Sequence, residues 1–206
     1  MLRVPRNGRD LTDEGRVMDY VRGHGYPCPA VHDAGVGYLV MDRLDGRSML
    51  DDAIPFRLAR NGRLLADLHN RLHELPAPDW LPDAAAPGDR LVHRDLHPLN
   101  VLITSDGPVV IDWANAARGV PAYDVADMWL LFTSADPGDL NVAERVLAPL
   151  ARRVLLRAFL AGVDAEAARA VLPLVAEHRA HDRNMSADEL ARMRALVARA
   201  SNLPRP

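Results

Sequence analysis

The segment from Leu91 to Trp113, with the sequence LVHRDLHPLNVLITSDGPVVIDW, constrains the fold more than any other part of the chain. It contains two short β-rich runs, Leu99–Thr104 and Val109–Trp113, joined by Ser-Asp-Gly-Pro. Two such runs separated by a Gly-containing turn are typical of a β-hairpin. The sequence therefore predicts an antiparallel hairpin over these residues.

Three oxygen-bearing side chains surround this predicted hairpin. Asp95 and Asn100 lie five residues apart in the loop that enters the first strand, and Asp112 ends the second strand. Because a hairpin folds its two ends together, we expect the three to converge. Hard divalent cations such as Mg²⁺ prefer oxygen ligands of this kind, and phosphoryl transfer needs metal ions and a carboxylate that orients the attacking hydroxyl. The alternative is a polar hairpin whose Asp and Asn residues only cap turns.

Composition excludes several classes of protein. The 206 residues are 49% hydrophobic and 26% charged, as in soluble globular proteins. The net charge is −3 and the basic residues are dispersed, which argues against nucleic-acid binding. No apolar run approaches the roughly 18 residues of a membrane span, and Met1-Leu2-Arg3 opens no signal peptide. The single cysteine, Cys28, is expected to be inert packing and fits a reducing compartment, so we predict a cytoplasmic protein.

Lysine is absent, since all 25 basic residues are arginine. Any mechanism that requires a lysine amine is therefore excluded.

Hydrophobic spacing and breaker residues predict further elements. Residues Leu2–Val4 are predicted to form the end of a strand, and a helix capped by Thr12 is predicted to run to about His24. A strand covers Val36–Met41, and a second helix runs from about Phe56 to Leu75. Beyond Tyr123 the chain is predicted to be helical, with breaks near 136–138, Gly162 and 184–186.

Several motifs together resemble one known family. They are His93–Asn100, Val109–Trp113, Gly119–Ala126 and Leu39–Gly46, with further similarity at 25–29 and 64–69. The sequence resembles the aminoglycoside phosphotransferase/choline kinase-like family of small-molecule kinases, built on the protein-kinase fold. The Ile-Asp-Trp form at 111–113, in place of Asp-Phe-Gly, and the lack of a downstream Ala-Pro-Glu favour this family over protein kinases. The resemblance covers roughly residues 1 to 135.

The resemblance implies an α+β, protein-kinase-like fold. Residues 1–45 would form a truncated, strand-bearing N-terminal lobe and hinge, and residues 46–206 a larger, mainly helical C-terminal lobe. Family members begin with two strands and a glycine-bearing loop over the ATP phosphates, whereas this chain starts at the strand that carries Arg3. Either the true start lies upstream, or the enzyme is truncated and weak.

The resemblance also implies roles for individual residues, with ATP and Mg²⁺ as cofactors. Asp95 would be the catalytic base, and Asn100 and Asp112 would hold Mg²⁺. The hinge residues Met41, Asp42 and Leu44 would meet adenine through their backbone groups. Glu14, an unusual carboxylate on the inward face of its helix, would pair with a phosphate-binding cation. That cation is usually lysine in the family and is Arg3 here, with a permanent charge and a bidentate fork.

Other polar residues carry structural expectations. Asp124 is predicted to accept hydrogen bonds from the catalytic-loop backbone, with a helix N-cap as the alternative, and His93 to be packed. Asp127 is predicted to be a solvated or first-turn charge. His97 could touch substrate or phosphate, or act locally in its loop. His69 and His73 have zinc-binding spacing on a helix but no apparent third ligand, so a metal is not expected there.

These observations predict an ATP- and Mg²⁺-dependent kinase that phosphorylates a hydroxyl of a small molecule. From residue 135 onward the chain has nine Asp or Glu and eleven Arg, which is no acidic surplus for a polycationic aminoglycoside. A sugar, an amino alcohol or another metabolite is an equal candidate. The alternative function is a kinase-like nucleotide-binding module that turns over little or nothing, although such modules commonly lose one of the three residues Asp95, Asn100 and Asp112.

Overall fold

The computed structural model describes residues 1–5, 8–51, 57–134, 142–181 and 186–201. Within these ranges the chain forms eight short strands and six α-helices. The strands are β1 (Leu2–Arg3), β2 (Val31–Gly35), β3 (Tyr38–Met41), β4 (Gly46–Ser48), β5 (Arg90–Val92), β6 (Val101–Thr104), β7 (Gly107–Val110) and β8 (Ala117–Gly119). The helices are α1 (Thr12–Gly23), α2 (Leu58–His73), α3 (Pro121–Ser134), α4 (Val142–Leu160), α5 (Ala165–Arg179) and α6 (Ala187–Ser201).

The strands form three small antiparallel sheets. The first has the order β1-β3-β2, the second β4-β6-β7, and the third pairs β5 with β8. The predicted hairpin is confirmed as β6–β7, in which Val101 pairs with Val110 and Thr104 with Gly107. Gly107 has a φ of +121°, a conformation that a residue with a side chain rarely adopts. The turn therefore requires glycine at this position.

Helix α1 begins and ends as its sequence suggests, with one shift. Thr12 is the first residue of the helix, and the N-cap position is Leu11. Asp10 Oδ1 accepts hydrogen bonds from Thr12 N (2.9 Å) and Thr12 Oγ1 (2.6 Å) and so satisfies the first turn. At the other end Tyr26 N donates to Val21 O (3.0 Å) across Gly25, whose φ is +77°. A left-handed glycine with this hydrogen bond terminates helices.

Helix α2 confirms the predicted apolar face, since Leu65, Leu68 and Leu72 are fully buried. The predicted start at Phe56 lies outside the described residues. The helix packs closely on α4 at Gly62, where an added Cβ would lie 2.8 Å from Ala158 Cβ and would also strike Leu155 O. Glycine thus allows the two helix backbones to approach.

The short strands β2, β4, β5 and β8 were not predicted, and the expected strand Val36–Met41 is shorter in the structure. Val36 forms only an isolated bridge with Asp10 before β3 begins. The predicted helix break at Gly162 is confirmed between α4 and α5. The breaks predicted at 136–138 and at Asn184-Met185 lie outside the described residues. Among the described helices, none is long and apolar enough to cross a membrane.

Candidate active site

The loop between β5 and β6 is held by one buried carboxylate on α3. Asp124 Oδ2 accepts a hydrogen bond from His93 N and Oδ1 accepts one from Arg94 N, both at 2.7 Å. These bonds stabilise Arg94 at a φ of +64°, which is uncommon for a residue other than glycine. The prediction that Asp124 supports the loop backbone is confirmed.

His93 is packed, as predicted. Its ring is fully buried, lies 4.6 Å from the Trp113 ring, and its Nε2 donates to Ile111 O (3.2 Å). Burial lowers the pKa of His93, so the ring stays neutral and joins the loop to the end of the hairpin.

Asp95 lies in this loop with 28% of its side chain exposed. Asn100 Nδ2 donates to its Oδ2 (3.2 Å) and to its main-chain oxygen (2.9 Å). His97 Nε2 lies 3.4 Å from its Oδ1. Burial alone would raise the pKa of Asp95, but the His97 hydrogen bond and the nearby positive charge outweigh burial and hold that pKa below its usual value. Asp95 is therefore an ionised carboxylate whose Oδ1 faces His97 and the guanidinium of Arg179.

His97 also has a local role in the loop. Its Nδ1 accepts a hydrogen bond from Leu99 N (3.2 Å) at the short 3₁₀ helix Pro98–Asn100. An imidazole that accepts at Nδ1 carries its proton at Nε2 when neutral, which is the nitrogen facing Asp95. The expected loop role is present, and contact with substrate stays a prediction.

The hairpin brings Asp112 to the same end of the site as Asn100. Ile111 N donates to Asn100 O (3.0 Å), which continues the β6–β7 pairing by one step. Strand β7 ends at Val110, so the expectation that Asp112 ends the strand is wrong by two residues. Asp112 instead has a left-handed backbone with a φ of +64°, and 40% of its side chain is exposed. Asp112 therefore lies after the strand, where its carboxylate contacts Arg3.

Arg3 joins Asp112 to helix α1. Its Nη1 contacts Glu14 Oε1, and its Nη2 donates to Asp112 Oδ1 (2.9 Å). Glu14 has only 3% of its side chain exposed, and burial raises its pKa although the charge of Arg3 opposes the rise. The sequence reasoning missed Arg9, whose Nη2 lies 3.4 Å from Glu14 Oε2.

The main-chain groups of the proposed hinge are already partly used. Met41 N donates to Met1 O (2.9 Å), and Met41 O accepts from the Met1 amino group. Asp42 N donates to Ala30 O (2.9 Å), while its carboxylate contacts His32 Nε2 (2.8 Å). Leu44 lies three residues beyond β3 and is half-buried.

Asp127 differs from its prediction, because it is neither solvated nor a simple first-turn charge. It is buried on α3 and paired with Arg179 of α5, whose Nη2 donates to Asp127 Oδ2 (2.7 Å). The same arginine lies near Asp95, and sequence reasoning missed it. One available signal was the spacing of Asp124 and Asp127, which places two carboxylates on adjacent turns of one helix face.

The histidine pair on α2 has a third group that the sequence did not reveal. Ligand atoms of His69, His73 and Asp124 lie within 4.8 Å of one another. They already serve as hydrogen-bond partners: His73 Nε2 donates to Asp124 Oδ2 (3.1 Å), and His69 Nε2 donates to Leu96 O (3.1 Å). The cluster is thus a buried support for the loop that carries Asp95.

Comparison with solved structures defines the class of fold. A choline/ethanolamine kinase family protein from Mesorhizobium loti matches with a TM-score of 0.57 and 17% identity, over 97% of this chain and 80% of that one. An aminoglycoside-3'-phosphotransferase of type VIII matches with a TM-score of 0.54 and 18% identity, over 95% and 82%. The amicoumacin kinase hAmiN, in complex with AMP-PNP, Ca²⁺ and Ami, matches with a TM-score of 0.50 and 14% identity, over 97% and 79%. The chain therefore has an α+β, protein-kinase-like fold, as the resemblance implied.

The sequence itself places the chain within one family of that class. The phosphotransferase enzyme family (APH) matches residues 1–90 and 78–153. The protein belongs to this family, which confirms the resemblance to aminoglycoside phosphotransferases and choline kinases. No curated protein sequence gives a significant match.

Proposed function

We propose that this protein is an ATP- and Mg²⁺-dependent kinase that transfers a phosphoryl group to a hydroxyl of a small molecule. The observation that carries the proposal is the convergence of Asp95, Asn100 and Asp112 at one end of the β6–β7 hairpin. Asn100 contacts Asp95 directly, and it is linked to the residue before Asp112 through Ile111 N.

Asp95 is the group we assign to the acceptor hydroxyl. Its carboxylate is ionised and partly exposed, so it can accept the hydroxyl proton or orient the hydroxyl for attack. Asn100 Nδ2 holds Oδ2 (3.2 Å), whereas Oδ1 has only the longer contacts with His97 Nε2 (3.4 Å) and Arg179 Nη2 (3.6 Å) and keeps lone-pair capacity for an acceptor hydroxyl.

Asn100 and Asp112 fit a hard divalent cation by the chemistry of their donor atoms. The Asn100 amide nitrogen is used in hydrogen bonds to Asp95, so its amide oxygen remains available as a ligand. Asp112 offers a carboxylate that is 40% exposed and whose Oδ1 accepts a hydrogen bond from Arg3 Nη2. Oxygen donors of this type suit Mg²⁺, which would neutralise charge on the phosphates during transfer.

Arg3 and the hinge are the groups we assign to the nucleotide. Arg3 is a permanent cation fixed between Glu14 and Asp112, within reach of phosphates bound near Asp112. Because Met41 and Asp42 already use their main-chain N–H groups, a donor N–H for adenine falls to Arg43 or Leu44, while the main-chain oxygen of Asp42 can still accept. The similar hAmiN structure contains AMP-PNP, an ATP analogue, which supports ATP as the donor.

The acceptor is a small hydroxyl compound, and we expect neither nucleic acid nor membrane as a partner. A sugar, an amino alcohol or a related metabolite fits as well as an aminoglycoside, because the chain has no acidic surplus after residue 135. We expect the reaction to take place in the cytoplasm, where ATP is present and the single thiol stays reduced.

The test is ADP release with a panel of sugars, amino alcohols and aminoglycosides as acceptors. Asp95→Asn should lower transfer by about 10²-fold or more, the scale of a lost general base, while ATP binding by calorimetry and the fold are kept. Chelation of Mg²⁺ should stop turnover.

The matched control is Asp106→Asn, an exposed carboxylate at the hairpin turn, at the opposite end from the site. This variant should keep full activity. Turnover that Asp95→Asn leaves unaffected would refute the mechanism. ATP binding with no ADP release from any acceptor would favour the non-catalytic nucleotide-binding module.

A further inference from the structure

Arg179 connects the last turn of α5 to the loop that carries Asp95. Its side chain is 14% exposed, and its guanidinium forms two hydrogen bonds to Asp127, from Nε to Oδ1 and from Nη2 to Oδ2. A paired fork of this kind fixes the plane of the guanidinium as well as its position. Asp127 is buried on α3, so this anchor is rigid.

The same Arg179 Nη2 lies 3.6 Å from Asp95 Oδ1. This distance is too long for an ordinary hydrogen bond but short enough for a strong ionic attraction in a partly buried site. Asp95 Oδ2 is held from the other side by Asn100 Nδ2 at 3.2 Å. His97 Nε2, on the same loop, also lies 3.4 Å from Oδ1, and Arg179 adds a contact from a separate helix. The carboxylate is therefore held at both oxygens, while Oδ1 keeps lone-pair capacity for an incoming hydroxyl.

His178, the residue before Arg179, adds a second link between α5 and the loop that carries Asp95. His178 Nε2 lies 3.2 Å from Arg94 Nη2, and His178 Nδ1 lies 3.0 Å from the Tyr123 hydroxyl. Two successive residues of α5 thus contact the catalytic loop or its support.

A buried ion pair is a costly way to join two helices. Desolvation of both ions offsets much of their attraction, and apolar side chains of similar volume often stabilise as well or better. The Arg179–Asp127 pair therefore calls for a reason beyond packing, and its contact with Asp95 supplies one.

We propose that Arg179, anchored by Asp127, is a positioning residue that orients the Asp95 carboxylate for the acceptor hydroxyl. This inference rests on the proposed kinase function. It also makes α5 part of the catalytic apparatus, although Arg179 is 84 residues from Asp95 in the sequence.

The test compares three variants in the ADP-release assay. Arg179→Gln should lower kcat by at least about tenfold with the KM for ATP unchanged, since only the orientation of Asp95 is lost. Arg179→Lys keeps the charge without the fork and should recover part of that loss. Asp127→Asn should lower kcat as well, and adding it to Arg179→Gln should cause little further loss, because both act through one contact.

Arg192→Gln is the matched control. Arg192 also joins two helices, donating from Nε to Ser134 O (2.8 Å), but it contacts neither Asp95 nor Asp127. It should lower the melting temperature without changing kcat. A wild-type kcat in Arg179→Gln, or an equal fall of kcat in Arg192→Gln, would overturn the inference.

Failure of the proposed function would look different, as wild-type protein that releases no ADP with any acceptor. In that case the melting temperatures of Arg179→Gln, Asp95→Asn and the double variant decide whether the contact exists. A smaller effect of Arg179→Gln in the Asp95→Asn background supports the contact. Equal effects in both backgrounds overturn it.

Discussion

At the scale of single residues, Arg3 contacts two carboxylates at once, which a lysine could not do with the same geometry. Its two terminal nitrogens reach two different carboxylates, Glu14 on α1 and Asp112 after β7. A lysine ammonium is a compact charge on a flexible stem, whereas the planar guanidinium presents several donors in a fixed geometry. In a chain without lysine, Arg3 thus links the first strand to both a helix and the hairpin.

If Arg3 and Glu14 act together on the nucleotide phosphates, their substitutions should be coupled. Arg3→Ala should raise the KM for ATP by on the order of tenfold, equivalent to about 1.4 kcal/mol. Glu14→Ala should raise it through the same contact, so the double variant should fall short of the product of the two effects. The KM values come from ADP release at varied ATP.

Arg16→Ala is the control for this cycle, because Arg16 lies on the same helix but is exposed and stacks on Trp80 at 4.1 Å. It should leave the KM for ATP unchanged. Fully additive effects of Arg3→Ala and Glu14→Ala would show that the pair does not act as one unit.

At the scale of secondary-structure elements, the contact between α2 and α4 depends on a glycine, which has no side chain. Gly62 lies in the interior of α2, where glycine costs about 1 kcal/mol of helix stability relative to alanine. The structure explains its presence, since a methyl group there would overlap Ala158 Cβ and Leu155 O on α4. Packing between the helices outweighs helix propensity at this position.

Gly62→Ala should therefore destabilise the protein by about 1–3 kcal/mol, the usual range for overpacking, despite the better helix former. The free energy of unfolding from urea denaturation measures the change. Gly23→Ala is the control, because an added Cβ at Gly23 in the last turn of α1 meets nothing within 4 Å. That variant should be neutral or stabilising, and a stable Gly62→Ala protein would mean that the helices can separate at no cost.

At the scale of the whole molecule, buried ionisable groups couple stability to pH. Burial lowers the pKa of His69 to about 3, below the value near 6.5 of an unfolded chain. Between these values only the unfolded chain binds the proton, so the free energy of unfolding falls as pH decreases. Burial raises the pKa of Asp127 to about 6, which gives the opposite trend between about pH 4 and 6.

Replacing His69 should remove its share of acid sensitivity. In His69→Gln the loss of unfolding free energy between pH 7 and 4.5 should be smaller than in wild type by about 2–3 kcal/mol, since one group contributes up to about 1.4 kcal/mol per pH unit. Urea denaturation across this range measures it. Leu172→Ala, which truncates a buried side chain without removing a titratable group, should keep the wild-type pH dependence. Equal pH dependence in His69→Gln and wild type would contradict the assignment.

The sequence by itself determined the features that depend on neighbours along the chain. The β6–β7 hairpin, the α1 and α2 helices and the contact between Asp95 and Asn100 follow from turn residues, hydrophobic period and short spacing. These interactions form between residues a few positions apart, so their signals lie in one segment. Family resemblance extended this to Arg3 and Glu14, which the fold brings into contact.

Tertiary structure alone decided the features that join distant segments. Strands β5 and β8 have three residues each and pair across 24 intervening positions, so neither carries a period long enough to recognise. Asp127 was predicted to be a solvated or first-turn charge, but it is buried and paired with Arg179 of α5. Gly62 is explained only by the packing of α4, which leaves no room for a Cβ at that position. In each case the stabilising interaction is packing or charge pairing between segments far apart in sequence. Local propensity contains no information about which distant segment will pack against a given residue.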